Sequence, residues 1–155
     1  MRRESRTDAF TLVEMVVVVL ILGILAGVAA PQLLDVQQHA AEQATITQVH
    51  EIFRAAELYK AEHGVWPANT GVKEFPPEFA GMLPESVFLN PSPIGRQFDW
   101  NGAGTGMPSY GVSIPPPLRP RVKQSTDDRY DDGNLETGWI TESNSGALNF
   151  ELAPK

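Results

Sequence analysis

One segment limits what this chain can fold into: sixteen consecutive uncharged, almost wholly apolar residues run from Met15 to Ala30. With the apolar residues before it, the segment is long enough to span a bilayer as a helix. Glu14 lies inside this apolar sequence, directly before the run. A carboxylate at the centre of a membrane helix costs up to about 2.5–3.5 kcal/mol on insertion scales, and less near an end. We therefore interpret Glu14 as a functional residue whose charge a partner neutralises.

Composition and charge restrict the function. The 155 residues include 13 Gly and 13 Pro, which leaves room for this segment and one small globular domain. The net charge is −7, and the first nine residues carry +1 because three arginines outnumber Glu4 and Asp8, so the remainder carries −8. Such an acidic body argues against nucleic-acid binding, which needs a clustered basic face. The absence of cysteine excludes disulfides, thiolate catalysis and Cys-ligated metals.

The amino terminus has three interpretations. Arginines before the hydrophobic segment place the amino terminus in the cytoplasm and everything after about Pro31 outside. A secretory signal peptide would be cut after small residues such as Ala29 and Ala30, but Pro31 would follow the cut and hinder it. A plain signal anchor avoids that difficulty and gives Glu14 no role.

The third interpretation rests on the motif Ala9-Phe10-Thr11-Leu12-Val13-Glu14. This motif resembles the cleavage and methylation site of type IV prepilins and of the pseudopilins of type II secretion systems. Phe10 and Glu14 match the family pattern, as do the Thr-Leu pair between them and Pro31 about six turns further along. The departure is Ala9, where the family almost always has Gly. Because Ala is the next smallest residue, we expect cleavage to be slowed rather than abolished.

The resemblance also implies how the chain is processed and which proteins it interacts with. A prepilin peptidase would cut between Ala9 and Phe10 on the cytoplasmic face, remove residues 1–9 as a leader, and leave Phe10 to be N-methylated. Glu14 would act in assembly with copies of the chain and other pilin-like subunits, at an inner-membrane assembly platform driven by a cytoplasmic ATPase. The mature chain would cross the bacterial inner membrane once, with its amino terminus cytoplasmic and its carboxy-terminal domain periplasmic, and join a periplasmic filament.

Charge and packing give this assembly role a physical basis. A new α-amino group at Phe10 would be a cation about one helical turn from Glu14. Pairing these charges between subunits would favour lateral association in an apolar medium. Gly23 and Gly27 form a GxxxG pattern, which lets helix backbones approach closely, although membrane helices are also richer in glycine generally. Pro31 removes one backbone hydrogen bond and is expected to kink or loosen the helix.

The helical pattern continues beyond the membrane segment. Residues 32–62 contain no Gly or Pro, and Gly64 and Pro67 then act as stop signals. The sequence therefore predicts one helix from Phe10 to Glu62, with residues 10–31 as the assembly segment and 32–63 as a stalk. Glu42 is placed among its polar positions. The predicted apolar stripe consists of Leu34, Ala41, Ala44, Val49, Ile52, Phe53, Ala56 and Tyr59.

Residues 64–155 are predicted to form a small outer domain. Thr70 to Gly95 is rich in Pro, Gly and aromatic residues. We interpret this segment as an ordered but irregular connector. Residues 115–137 are interpreted as a loop. The fold class is therefore α+β and pilin-like, with a long amino-terminal helix packed on a small antiparallel sheet. The strands of that sheet are expected around Gln97–Trp100, Tyr110–Ile114, Gly138–Glu142 and Ala147–Leu152.

The late loop holds a candidate calcium site. Five carboxylates lie within ten residues, and oxygen ligands of this kind suit Ca²⁺. The spacing does not fit an EF-hand, because Tyr130 and Trp139 fall where ligands should be. Major pseudopilins resemble this chain in lacking a disulfide and carrying Ca²⁺ in a late loop, although their ligand spacing does not transfer. The alternative is a solvated acidic turn. The candidate ligands are Asp127, Asp128, Asp131, Asp132 and Glu136.

No catalytic constellation accompanies these features. His39 and His50 share a helix face but lie about 16 Å apart along the axis, too far for one metal, and no metalloprotease, nucleophile-elbow or phosphate-loop motif occurs. We therefore expect a structural subunit rather than an enzyme, most simply a type II secretion pseudopilin. A type IV pilus or DNA-uptake pilin is the alternative within the family, and a monomeric signal-anchored periplasmic binding module is the alternative of another class.

Overall fold

The computed structural model describes residues 11–104 and 109–154. A single helix, α1 (Leu12–His63), begins the described chain and runs without interruption through Pro31. It ends at Gly64, whose φ of 77° is readily adopted only by glycine. The Gly64 N–H donates to the carbonyl of Lys60 over 2.8 Å, which closes the last turn. The predicted helix is therefore confirmed, with ends within two residues of the expected ones.

The chain divides into two compact units, residues 1–37 and 38–155. In the first unit α1 exposes its large hydrophobic side chains, from Leu12 to Val36. Its most apolar window has a mean hydropathy of 2.8 and no buried residues. The described residues thus contain one helix long and apolar enough to cross a membrane.

The second unit contains a four-stranded antiparallel sheet in the order β1-β2-β4-β3. All four predicted strands are present, as β1 (Asp99–Asn101), β2 (Ser109–Ile114), β3 (Ile140–Glu142) and β4 (Leu148–Pro154). Central partners across the sheet are Trp100, Val112, Phe150 and Ile140, in that order. All four side chains are almost fully buried, so this register places an apolar row on one face.

The carboxy-terminal part of α1 supplies the helical side of the core. Its residues join one buried cluster with the sheet residues and with aromatic residues of the connector. The connector holds a short 3₁₀ helix (Pro77–Phe79) and one α-turn, α2 (Ser86–Leu89), which bring Phe79 and Phe88 into the core. The buried hydrophobic residues from α1 are Ile46, Val49, Ile52, Phe53, Ala55 and Ala56.

Two expectations are corrected by the structure. Residues 115–137 are not all loop, because they contain α3 (Pro120–Tyr130). Pro120 at its first helical position is compatible with a helix start. The sequence of α3 is mostly polar, so it lacks the apolar periodicity that would have predicted this helix.

The stripe on α1 is the second correction. Leu34 and Ala44 are exposed, whereas Glu42 is fully buried, together with Thr45 and Ile46. These residues continue the buried series through Val49 at intervals of three and four. The buried face of α1 therefore begins at Glu42, one turn before the first buried apolar residue, Ile46, and does not reach Leu34.

Candidate functional site

The predicted processing site, Ala9 and Phe10, lies outside the described residues. The first described turn of α1 is closed by two residues of the same motif. Glu14 Oε2 accepts hydrogen bonds from the Thr11 backbone N–H and from Thr11 Oγ1, each 2.8 Å long, and Thr11 Oγ1 accepts one from the Glu14 backbone N–H at 3.3 Å. This reciprocal arrangement is a capping box. The Thr-x-x-Glu spacing could have indicated it from the sequence.

The other predicted assembly residues lie on the exposed part of α1. A Cβ atom built at Gly23 or at Gly27 would meet nothing within 4 Å. The pair therefore forms an open, side-chain-free strip on the described helix, one turn apart on the same face. Close helix contact at this strip, and the effect of Pro31, remain predictions.

The acidic segment brings three of its five candidate ligands together. Asp127, Asp131 and Asp132 each offer one carboxylate oxygen, and these atoms all lie within 4.8 Å of one another. Asp127 belongs to the last turn of α3 and Asp131 caps that helix. Carboxylates at a helix carboxy terminus face its negative dipole end, so they are destabilised unless a cation is near.

Of the three carboxylates in this group, that of Asp127 is the most unfavourable to keep ionised. Its side chain is fully buried, and neither Oδ1 nor Oδ2 has a hydrogen-bond partner among the described residues. Burial, followed by repulsion from Asp131, Asp132 and Asp128, raises its pKa to about 6. A buried carboxylate without partners, beside two further carboxylates, is a donor set that suits a hard divalent cation such as Ca²⁺.

The other two carboxylates of the group are held by the loop that follows α3. Asp131 Oδ2 accepts from the Ile140 backbone N–H at 2.7 Å. Asp132 Oδ1 accepts from the backbone N–H of Asn134 at 2.9 Å, and its Oδ2 accepts from Thr137 Oγ1 at 2.6 Å. The bonds from Thr137 and Asn134 keep the pKa of Asp132 below its usual value. Both carboxylates are therefore oriented within the domain itself.

Glycine is required where the loop passes Asp131. Gly138 has a φ of 82°, and a Cβ atom there would lie 2.1 Å from Asp131 Oδ2. Any side chain at this position would displace Asp131 as well as strain the backbone.

The remaining two candidate ligands lie elsewhere. Asp128 is exposed, and its Oδ1 accepts from Gln124 Nε2 at 2.7 Å. Glu136 is also exposed, and its backbone N–H donates to Asn134 Oδ1 at 3.1 Å. The structure does not place either carboxylate in the group.

Sequence analysis missed an ion pair between the exposed Arg129 of α3 and the buried Glu42 of α1. Arg129 Nε lies 3.4 Å from Glu42 Oε2, and Glu42 has no exposed surface. Gln38 Nε2 donates to Glu42 Oε1 at 2.8 Å, and Arg129 Nη2 lies 2.7 Å from His39 Nε2. The helical spacing could have indicated that Glu42 is buried, because it occupies the next core position of α1.

The three histidines all have neighbours in the packed structure. His39 contacts Arg129, His50 packs against the rings of Phe53 and Trp139, and His63 stacks on Tyr59. The group of possible metal ligands found in residues 11–104 and 109–154 consists of aspartates and contains no histidine.

The fold and these sites define a class: a pilin-like protein with a capped, exposed apolar helix leading into a small α+β domain. The prokaryotic N-terminal methylation motif family matches residues 5–30. Type II secretion system core protein G of Klebsiella michiganensis is 30% identical over 109 residues, which cover 66% of this chain and 73% of that protein. The chain therefore belongs to the family of type II secretion system core protein G.

Two further relatives show how far the similarity extends. Type II secretion system core protein G of Vibrio cholerae is 37% identical over 69 residues, 44% of this chain and 47% of that protein. Type IV major pilin protein PilE1 of Neisseria gonorrhoeae is 29% identical over 107 residues, 68% of this chain and 50% of the pilin. The chain thus spans about half the length of several curated relatives that it matches. No solved structure gives a significant match.

Proposed function

We propose that this protein is a structural, non-enzymatic subunit of a pilus-like filament that serves a type II secretion system. Membership of the core protein G family supports this. The structural observation that carries it is the continuity of α1, whose first part exposes a long run of apolar side chains while its last part contributes to the core of a folded domain. An apolar helix surface that the other described residues leave exposed is satisfied in a membrane or by neighbouring copies.

Processing in this proposal follows the matched motif. A prepilin peptidase cuts between Ala9 and Phe10, and Phe10 is then N-methylated. The chain stays in the bacterial inner membrane with its amino terminus cytoplasmic and its domain periplasmic until an assembly platform inserts it into the filament. The arginines of the leader support this orientation.

Glu14 has the main assembly role in this account. Within the described residues, the Thr11 bonds both reach Oε2, and no hydrogen bond to Oε1 is present. Oε1 can therefore accept a hydrogen bond from the α-amino group of a neighbouring subunit while the capping box persists. Burial of that opposite-charge pair between helices removes the cost of a lone carboxylate in an apolar medium.

A calcium ion would complete the outer domain. Asp127, Asp131 and Asp132 would hold it, because the buried carboxylate of Asp127 accepts no hydrogen bond from the residues that the structure describes. The ion would supply positive charge at the carboxy terminus of α3 and would tie that helix to the following loop. A small domain without disulfides gains stability from such an ion by mass action.

A type IV pilus is the second candidate. The similarity to the Neisseria pilin covers 68% of this chain, about the same share as the 66% covered by the Klebsiella secretion protein. A monomeric signal-anchored binding module gives Glu14 no partner, and a chain that retains Met1 would identify it.

Assembly can be tested directly in cells. The full chain is produced with and without a type II secretion assembly platform. Periplasmic filaments are examined by electron tomography of the cells, and contacts between chains by cross-linking in cells followed by immunoblotting. We expect filaments and cross-linked multimers that contain the chain only when the platform is present. A processed chain that forms neither in the presence of the platform would contradict the proposed function.

A further inference from the structure

We infer that Glu42 keeps Arg129 away from the acidic cluster of Asp127, Asp131 and Asp132, and thereby leaves that cluster for a metal ion. This inference rests on the calcium site proposed above and concerns a residue of α1 that contributes no ligand. Glu42 acts here as a positioning residue for the site.

The argument begins with the position of Arg129. It lies in the last turn of α3, two residues after Asp127 and two before Asp131. A flexible guanidinium so close in sequence is the obvious internal counter-charge for the cluster, and it could form bidentate bonds to a carboxylate.

The structure shows Arg129 engaged elsewhere. Its Nε lies 3.4 Å from Glu42 Oε2 and its Nη2 lies 2.7 Å from His39 Nε2, so both contacts point to α1. Meanwhile Asp127, only two residues away, is fully buried, and neither of its carboxylate oxygens has a hydrogen-bond partner in residues 11–104 and 109–154. The nearest cation in the sequence is therefore directed away from the carboxylate that most needs one.

The surroundings of the two carboxylates explain why Arg129 pairs with Glu42. Glu42 and Asp127 are both fully buried. Asp127, however, lies beside the half-buried Asp131 and the exposed Asp132, so an ion from solution can reach its group. A buried carboxylate deprived of its cation is strongly destabilising, because water cannot replace the partner. A carboxylate cluster at a loop can instead recruit an ion from solution. Arg129 thus stabilises the protein more beside Glu42 than beside the acidic cluster.

A neutral residue at position 42 should reverse this preference. In Glu42→Gln the Gln38 bond can persist, but Arg129 loses its charged partner and becomes free to neutralise the cluster. It would then compete with calcium. If Glu42 instead only supports the packing of α3, removal of Arg129 as well could not restore calcium binding.

The test is a four-way comparison in the full chain, purified in detergent micelles. Calcium affinity is measured by isothermal titration for the wild type, Glu42→Gln, Arg129→Gln and the double variant, and the melting temperature is recorded in excess chelator. Glu51→Gln is the matched control, since Glu51 is an exposed glutamate on the same helix and its loss makes the same change in net charge.

We expect Glu42→Gln to weaken calcium binding roughly three- to tenfold beyond the control, the size expected for one nearby unit charge in a partly screened site. Arg129→Gln should bind at least as tightly as the wild type, although its melting temperature in chelator should fall because Glu42 is left unpaired. The double variant should recover wild-type affinity, which is the result that separates competition from packing.

Other outcomes overturn the inference. Unchanged affinity in Glu42→Gln, or a double variant as weak as Glu42→Gln, would overturn it and leave the calcium site intact. A wild-type chain that binds no calcium would overturn both proposals. If Glu42→Gln does not fold, the calcium affinity of Arg129→Gln is the test. Affinity equal to or tighter than that of the wild type supports the inference, and weaker affinity overturns it.

Discussion

Thr11 and Glu14 cap the first turn of α1 reciprocally, with the Glu14 carboxylate 2.8 Å from both the backbone N–H and the hydroxyl of Thr11. The glutamate of the assembly motif is therefore also a structural residue of the helix it begins. A substitution at Glu14 removes a charge and half of a capping box together, so the two effects need to be separated experimentally.

We predict that Glu14→Val inserts into the membrane at least as well as the wild type and is still processed, because it loses the cost of a carboxylate in lipid. It should enter filaments poorly, since a neighbour's amino terminus loses its counter-charge. The measurement is the fraction of chain that forms cross-linked multimers in cells that contain the assembly platform. Thr11→Val is the control, because it removes the hydroxyl half of the capping box, at about 1 kcal/mol, and keeps the charge of Glu14. Wild-type incorporation of Glu14→Val would refute the assembly role.

Processing should depend on the size of residue 9. Ala9→Gly is expected to be cleaved as fast as the wild type or faster, because the family almost always has Gly there. Ala9→Leu should accumulate as uncut chain, since a bulky side chain is not accommodated next to the cleaved bond. Pulse-chase labelling followed by gel electrophoresis measures both rates. Slower cleavage of the Gly variant would count against the identification of the cleavage site.

Asp127 should make the stability of the outer domain depend on calcium and pH. Its pKa in the folded protein is about 6, above the usual 3.8, so the folded protein binds this proton more tightly than the unfolded chain. The contribution is present below about pH 4 and is lost as pH rises through 6. In calcium-depleted buffer, the melting temperature of the wild type relative to Asp127→Asn should therefore fall between pH 4 and pH 7.

Excess calcium should raise the melting temperature of the wild type at pH 7 and leave Asp127→Asn nearly unchanged, because the ion compensates a charge that the variant lacks. Scanning calorimetry of the full chain in detergent measures both. Equal melting temperatures in calcium and in chelator would identify the segment as a solvated acidic turn.

Gly138→Ala should weaken the same site by moving Asp131. The variant places a Cβ atom 2.1 Å from Asp131 Oδ2, at a φ of 82°. Gly81→Ala is the matched control, since Gly81 has a φ of 81° and nothing within 4 Å of an added Cβ. Both variants should lose about 1–2 kcal/mol of folding free energy from the left-handed backbone. Only Gly138→Ala should also lose calcium affinity in a titration; equal affinities in the two variants would remove Asp131 from the site.

Much of the architecture could be predicted because it is periodic. The uninterrupted helical spacing of α1 and the short alternating strands were visible in the sequence, and Gly64 marked the helix end. The polar helix α3 was missed because its exposed residues carry no apolar stripe. Glu42 was missed because a single buried charge looks like a surface residue until its partner, Arg129, is placed beside it.

The composition of the acidic group could not be predicted without α3. Once residues 120–130 are helical, Asp127 and Asp131 share a face at a spacing of four, and Asp128 points about 100° away. Sequence proximity alone treats Asp127 and Asp128 as equivalent. The separation of Glu136 from the group depends on the turn after Asp132, which is fixed by side-chain hydrogen bonds rather than by any periodic pattern.

The most direct test of the whole account is the mass of the mature chain extracted from membranes. Intact-mass spectrometry with sequencing of the amino-terminal peptide should show a chain that begins at Phe10 and carries one N-methyl group. That result would identify a processed filament subunit whose new amino terminus is available to Glu14 of a neighbour. A membrane-bound chain that still begins at Met1, in cells with an active prepilin peptidase, would contradict the account.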